Sequence, residues 1–192
     1  MLMSSGFTSA QNVIKADMAS SQPVVSRDEA GFSTCGVRTV VLVERTPPSV
    51  DIYDFSIQYA ARQLMGTMKI GKQQADSRDL KAKLRTVRPA PVSAWIARET
   101  EGKPLQVKIL FESEETPGYV LGHVDTVKGF ETMVALASGE RMHLLARYKS
   151  EKLDSVIAYS APLSEDDQEL FFACTTGLIE RLKSTAEGRF EH

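Results

Sequence analysis

The chain is short of the residues that usually announce chemistry. Its 192 residues hold two cysteines, three histidines, one tryptophan and one asparagine. Two cysteines, Cys35 and Cys174, allow at most one disulfide. They form no Cys-x-x-Cys pair and no Cys/His cluster at zinc spacing. There is no Gly-x-Ser-x-Gly elbow, and no cysteine lies near a histidine in sequence, so no local signature of nucleophilic catalysis is present. No apolar run approaches the roughly 18 residues a membrane helix needs. No single sign of charge dominates: 23 Lys+Arg face 25 Asp+Glu, for a net charge of -2. That balance argues against a strongly basic nucleic-acid binder and against an acidic solvating chain.

What is present is an ordinary globular composition, 42% apolar and 25% charged. The length suits one domain, or one domain with a tail. The first 34 residues stand apart: they hold seven of the 18 serines and the lone Asn12. They show no sustained period, and Pro23 and Gly31 punctuate them. The reading is an arm over 1–34, flexible or ordered by a partner, with a short helical turn near Gln11–Ala19. A single domain over 35–186 and a tail over 187–192 follow. The start Met1-Leu2-Met3-Ser4-Ser5-Gly6 has no basic region and no apolar stretch behind it. The chain therefore reads as cytoplasmic as written, and as periplasmic or secreted if a leader has been removed.

Within 35–186 the period of two dominates. Val37, Thr39, Val41 and Val43 alternate with Arg38, Val40 and Leu42, and Tyr53, Phe55, Ile57 and Tyr59 alternate with Asp54, Ser56 and Gln58. Both are half-buried strands joined through Pro47-Pro48. Met68–Ile70 reads as a short strand, and residues 74–86 as a short helix. Further strands are expected at Val92–Arg98, Leu105–Glu112, Tyr119–Asp125, Met142–Lys149 and Leu153–Ala161. Phe130, Met133, Val134 and Ala137 fit one helical face, with Gly139 as its stop; a strand is the rival there. The last helix is the plainest element. Ser164 caps it, Asp167 completes a capping box, and Leu170, Cys174, Leu178 and Leu182 form its buried stripe, flanked by Phe171 and Ile179. The expected fold is α+β: a mostly antiparallel sheet of about six to eight strands, with the C-terminal amphipathic helix on one face.

Four groups of residues are candidates for function. Cys35 shares the inward parity of Val37, and Cys174 lies in the helix stripe, so both face one core. They are either separate buried thiols or one disulfide, which would imply an oxidising compartment. Residues 69–88 hold Lys69, Lys72, Arg78, Lys81, Lys83, Arg85 and Arg88 against Asp76 and Asp79, a local +5. The segment is a candidate contact for a protein or a membrane headgroup. It has no aromatic residue for base stacking, which makes nucleic acid the weaker partner. His123 and Asp125, two apart on one strand face, with His143 on another strand, are a candidate polar or metal site. Gly66-Thr67-Met68-Lys69-Ile70-Gly71-Lys72 matches the start of a phosphate loop, but Gln73 stands where that loop needs Ser or Thr.

The final third runs from a helix ending in Gly139 through two strands to Pro162-Leu163-Ser164 and a helix. In this it resembles the C-terminal part of secreted invasion-associated locus B-type proteins. Those usually carry more cysteines, and no function is taken from the likeness. The residues themselves point to a non-enzymatic interaction or assembly domain, with no cofactor motif and with the arm or the basic segment as contact element. The alternative is a small hydrolase or transferase using His123, Asp125 or His143.

Overall fold

The structure, a computed structural model, describes residues 12–187 apart from 77, 79–83, 101–102, 109 and 150–154. It is an α+β fold of two sheets and two helices. The larger sheet has seven strands. β2 (Met18–Asp28), β3 (Gly31–Glu44), β4 (Ser49–Ala60) and β5 (Gln63–Asp76) form an antiparallel meander. β6 (Arg85–Thr86) joins the edge of β5, and β10 (Tyr119–Val124) and β9 (Leu110–Glu112) extend the sheet beyond it. The smaller sheet runs β1 (Asn12–Lys15), β12 (Ser155–Tyr159), β11 (Met142–Arg147), β7 (Ser93–Arg98) and β8 (Leu105–Gln106). Its β1–β12 pairing is parallel; the other pairings are antiparallel.

Several expected elements change when tertiary pairing is added. Residues 12–34, read from sequence as an arm, form β1, β2 and the start of β3. The helical turn expected near Gln11–Ala19 is strand over Asn12–Lys15, and the chain then crosses to the other sheet at Ala16 and Asp17. β2 has no fully buried residue on either face, so polar residues are tolerated on both and no apolar period marks the segment. Nothing in the described residues bears on 1–11. The helix expected over 74–86 is strand at Gln74–Asp76 and again at Arg85–Thr86; most of its middle lies outside the described residues. The strand expected over Leu105–Glu112 divides into β8 and β9, which belong to different sheets.

Other expectations hold. Phe55 and Tyr59 lie on the buried face of β4 with Tyr53 and Ile57, opposite Val37 and Val41 of β3. The helix reading of Phe130–Ala137 is correct: α1 spans Thr126–Ala137. Gly139, at φ +76°, ends it. Its amide bonds the Leu136 carbonyl, and the Glu140 amide bonds that of Ala135. This pair of reversed bonds is the left-handed stop that favours glycine. α2 spans Glu165–Glu187, and Asp167 N–H donates to Ser164 Oγ at 3.2 Å. Glu165, Asp166 and Asp167 occupy its first turn, where carboxylates suit the positive end of the helix dipole.

The two sheets and both helices enclose one core. Phe55 of β4 and Tyr159 of β12 meet edge to face across it, 5.9 Å between ring centres. α1 contributes Met133, Leu136 and Ala137, and α2 contributes Phe171, Cys174 and Leu178. Leu170, expected in the buried stripe, is exposed. Steps of four residues drift by about 40° on a helix of 3.6 residues per turn. The seam therefore follows Phe171, Cys174, Leu178 and Leu182, and Leu170 falls off its edge.

Candidate functional site

Cys35 of β3 and Cys174 of α2 form a disulfide with their Cα atoms 5.8 Å apart. Both residues are fully buried. The bridge fastens the middle of α2 to the sheet. A bidentate ion pair holds the helix further along: Arg181 Nη1 and Nη2 donate to Asp28 at 2.8 and 3.0 Å. Arg181 also donates to the Phe32 carbonyl at 3.1 Å. This partner holds the Asp28 carboxyl below the ordinary carboxylate range, aided by the Ala30 amide.

The basic segment is not one patch. Lys72 points inward and is 2% exposed, which corrects its reading as a contact residue. Its ammonium lies 3.7 Å from Asp51 Oδ2 and 4.7 Å above the Tyr148 ring. Asp51 also accepts from Arg45 and Gln74, so the charge is buried within a paired network. Lys69, three residues earlier on β5, faces the other way, donates to Thr116 Oγ1 at 2.6 Å and lies over the Tyr119 ring. Arg78 pairs with Asp76, and Arg85 donates to Gln74. Arg88 is exposed, and Lys81 and Lys83 lie outside the described residues. The phosphate-loop match, Gly66 to Lys72, lies wholly within β5. An extended strand paired on both sides offers no cradle of converging amides.

The candidate polar residues lie on three different elements. His123 lies on β10 in the larger sheet, opposite Thr67. His143 lies on β11 in the smaller sheet, opposite Ala97 and Ala158. Asp125 has left the strand and caps α1, its Oδ1 accepting from the Lys128 amide at 3.1 Å. Among the described residues, no three His, Cys, Asp or Glu side chains gather as a metal site would require.

The concave feature that stands out is apolar. A cleft of about 400 Å³ opens between α1 and α2. Tyr59 of β4 forms its base with Phe130, whose ring meets it edge to face at 6.1 Å. Val127 and Met133 of α1 and Leu178, Ile179 and Leu182 of α2 make the walls. The volume falls in the range of ligand and contact pockets, and the lining is of the right kind. Its polar atoms are largely spent within the fold. The Tyr59 hydroxyl donates to the Thr126 carbonyl at 2.7 Å, and the Thr175 hydroxyl to that of Phe172 at 3.0 Å. Burial, and then the nearby Asp125 carboxylate, push the Tyr59 phenol well above its usual range. Tyr59 stays neutral, and Glu131 is the charged group among the lining residues.

The backbone explains why α1 can sit so close to Tyr59. Gly129 lies directly against the Tyr59 hydroxyl, where a Cβ would overlap it. The sequence reading placed Phe130, Met133, Leu178, Ile179 and Leu182 on helices but did not bring the two helices together. It missed Tyr59 and Val127 as lining residues. The missing signal was long-range, since 67 residues separate Tyr59 from Thr126.

Among the described residues, no helix is long and apolar enough to cross a membrane. No protein-family model, curated protein or solved structure matches the chain.

Proposed function

We propose that this protein is a non-enzymatic interaction or assembly domain, and that the α1–α2 cleft is its contact surface. One observation carries the reading. The cleft is lined mostly by apolar side chains, and two of them, Val127 and Ile179, remain 67% and 40% exposed. Large apolar side chains left open on both walls of a cleft mark a surface made to be covered. A catalytic site would need titratable groups converging on one point, and the lining holds Glu131 and a neutral Tyr59. The contact element thus moves from the N-terminal segment and the basic stretch to the helices. A buried disulfide suits an oxidising compartment, and the proposed place of action lies outside the cytosol.

The test is occupancy by an apolar reporter. Nile red titrated into the oxidised full chain should show saturable, single-site fluorescence enhancement. Val127→Ser and Ile179→Ser, both at open positions, should weaken it about tenfold, equivalent to about 1.4 kcal/mol, with unchanged melting. Unsaturable binding, or binding indifferent to both substitutions, would remove the cleft as the contact surface.

A further inference from the structure

We infer that the contact surface at the α1–α2 cleft receives a second copy of this chain, the two α2 helices lying side by side and antiparallel about a two-fold axis. This rests on the reading of the cleft as a contact surface and names what covers it. Spacing is the first argument. Glu165, Glu169, Phe172, Thr176, Ile179 and Lys183 are all exposed. They follow one another along α2 at intervals of four, three, four, three and four. That alternation is the period of a helix that packs along another helix. This outer seam borders the cleft, since Ile179 forms part of its wall. It is distinct from the seam of Phe171, Cys174 and Leu178 that enters the core.

Self-complementarity is the second argument. A two-fold interface sets one patch against itself, so the patch must carry its own complement. The outer seam does so in one direction only. Its first two positions are acidic, its middle holds two large apolar side chains, and its last position is basic. Laid antiparallel with the axis level with Cys174, Glu165 faces Lys183 of the second copy, and the same pair recurs at the other end. Phe172 then stands three residues, about 4.5 Å along the axis, from Ile179 of the second copy. Laid parallel, Glu165, Glu169 and Lys183 would each face their own kind, which like charges oppose. Asp166 and Glu180 each stand one residue past a seam position, on the side turned away from the cleft, and stay in water. On α1, Glu131 at the cleft and Lys128 beside Val127 carry opposite charges, so that wall favours neither sign. Exposed ion pairs contribute little each; they set the direction of the pairing, and the apolar side chains hold it.

The experiment is sedimentation velocity of the oxidised full chain over a concentration series, at low salt. A monomer–dimer equilibrium is expected in the micromolar range. Phe172→Ser and Ile179→Ser should each weaken it about tenfold with unchanged melting. Leu170→Ser, which alters an exposed apolar side chain of α2 off the seam, should leave it unchanged. Lys183→Glu should weaken the dimer about fivefold, since it turns two unlike pairs into like ones. Glu165→Lys combined with Lys183→Glu should restore it, because every pair is then inverted. A monomer at every concentration would overturn the inference. So would a dimer that both serine substitutions on the seam leave intact, or one that Leu170→Ser weakens as much. A dimer indifferent to Lys183→Glu, or one that the double variant fails to restore, would overturn the antiparallel pairing. A monomer that still binds Nile red in a saturable, substitution-sensitive way would give the cleft a different occupant. Failure of the cleft itself shows separately, as Nile red binding that the substitutions do not change.

Discussion

Two side chains show how far a residue's role depends on what lies across from it. Lys72 counts in sequence as one of seven bases in a basic stretch. Its parity told another story: Met68 and Ile70 face the core, and two further places along the strand Lys72 must do the same. Counting charge averaged over both faces of β5, while parity separated Lys69 from Lys72. Tyr59 is the opposite case, since its inward parity was plain and its partner was not. Its hydroxyl satisfies the Thr126 carbonyl at the first turn of α1, and its ring supports Phe130. Tyr59→Phe removes one hydrogen bond and should cost about 0.5–1.5 kcal/mol in urea unfolding. Gly129→Ala adds a methyl where the Tyr59 hydroxyl already sits. It should cost more, about 1–3 kcal/mol, and should also reduce Nile red binding by shifting α1. An alanine variant as stable as the parent would mean that α1 is free to move outward.

At the scale of the element, α2 has two apolar faces with different fates. The seam of Phe171, Cys174, Leu178 and Leu182 goes into the core, whereas Phe172 and Ile179 stay open. The period in the sequence revealed a helix with apolar stripes, but the stripes run close enough to merge on paper. The drift of four-residue steps puts Phe171 rather than Leu170 on the buried seam, and two fastenings hold that seam down, Cys174 to Cys35 and Arg181 to Asp28. The second fastening makes a pH prediction. The Asp28 carboxyl is held below its ordinary value of 3.8 by Arg181 and the Ala30 amide. A carboxyl lowered on folding stabilises fully above its unfolded value, and that stabilisation is lost as pH falls through the folded one. Asp28→Asn should therefore lower the urea midpoint at pH 7. The gap between parent and variant should close progressively below about pH 4. A gap that persists unchanged at pH 2 would show that the pair contributes through packing alone.

At the scale of the molecule, the disulfide closes a loop of 139 residues between the second strand of the meander and the last helix. Removing a native bridge of this kind costs about 2–5 kcal/mol, and chain-entropy arguments put long loops toward the upper end. Cys35→Ala with Cys174→Ala should show that loss. In the native protein both sulfurs are fully buried. Alkylation after dithiothreitol should thus be slow in buffer and fast in denaturant, as mass spectrometry would record. Rapid native labelling would mean that α2 lifts away readily. The N-terminal segment belongs at this scale as well. β1 lies beside β12 by parallel pairing, while β2 begins the other sheet. The segment thereby links the two sheets, a role no local pattern of serines could disclose.

By itself, the sequence determined the α+β class, the alternating strands of β3 and β4, the last helix with its Ser164 cap, Gly139 as the stop of an element whose helical face it matched, and the shared inward direction of Cys35 and Cys174. These follow from periods of 2 and 3.6 and from capping chemistry, which act within a few residues. Tertiary structure decided which faces meet. It divided the strands between two sheets, turned a serine-rich segment into paired strands, buried Lys72 beside Asp51, and placed His123 and His143 in different sheets. It also brought α1 and α2 together over Tyr59 to make the cleft. Contacts of that kind join residues tens of positions apart, and their energies depend on mutual burial that no short window of sequence contains.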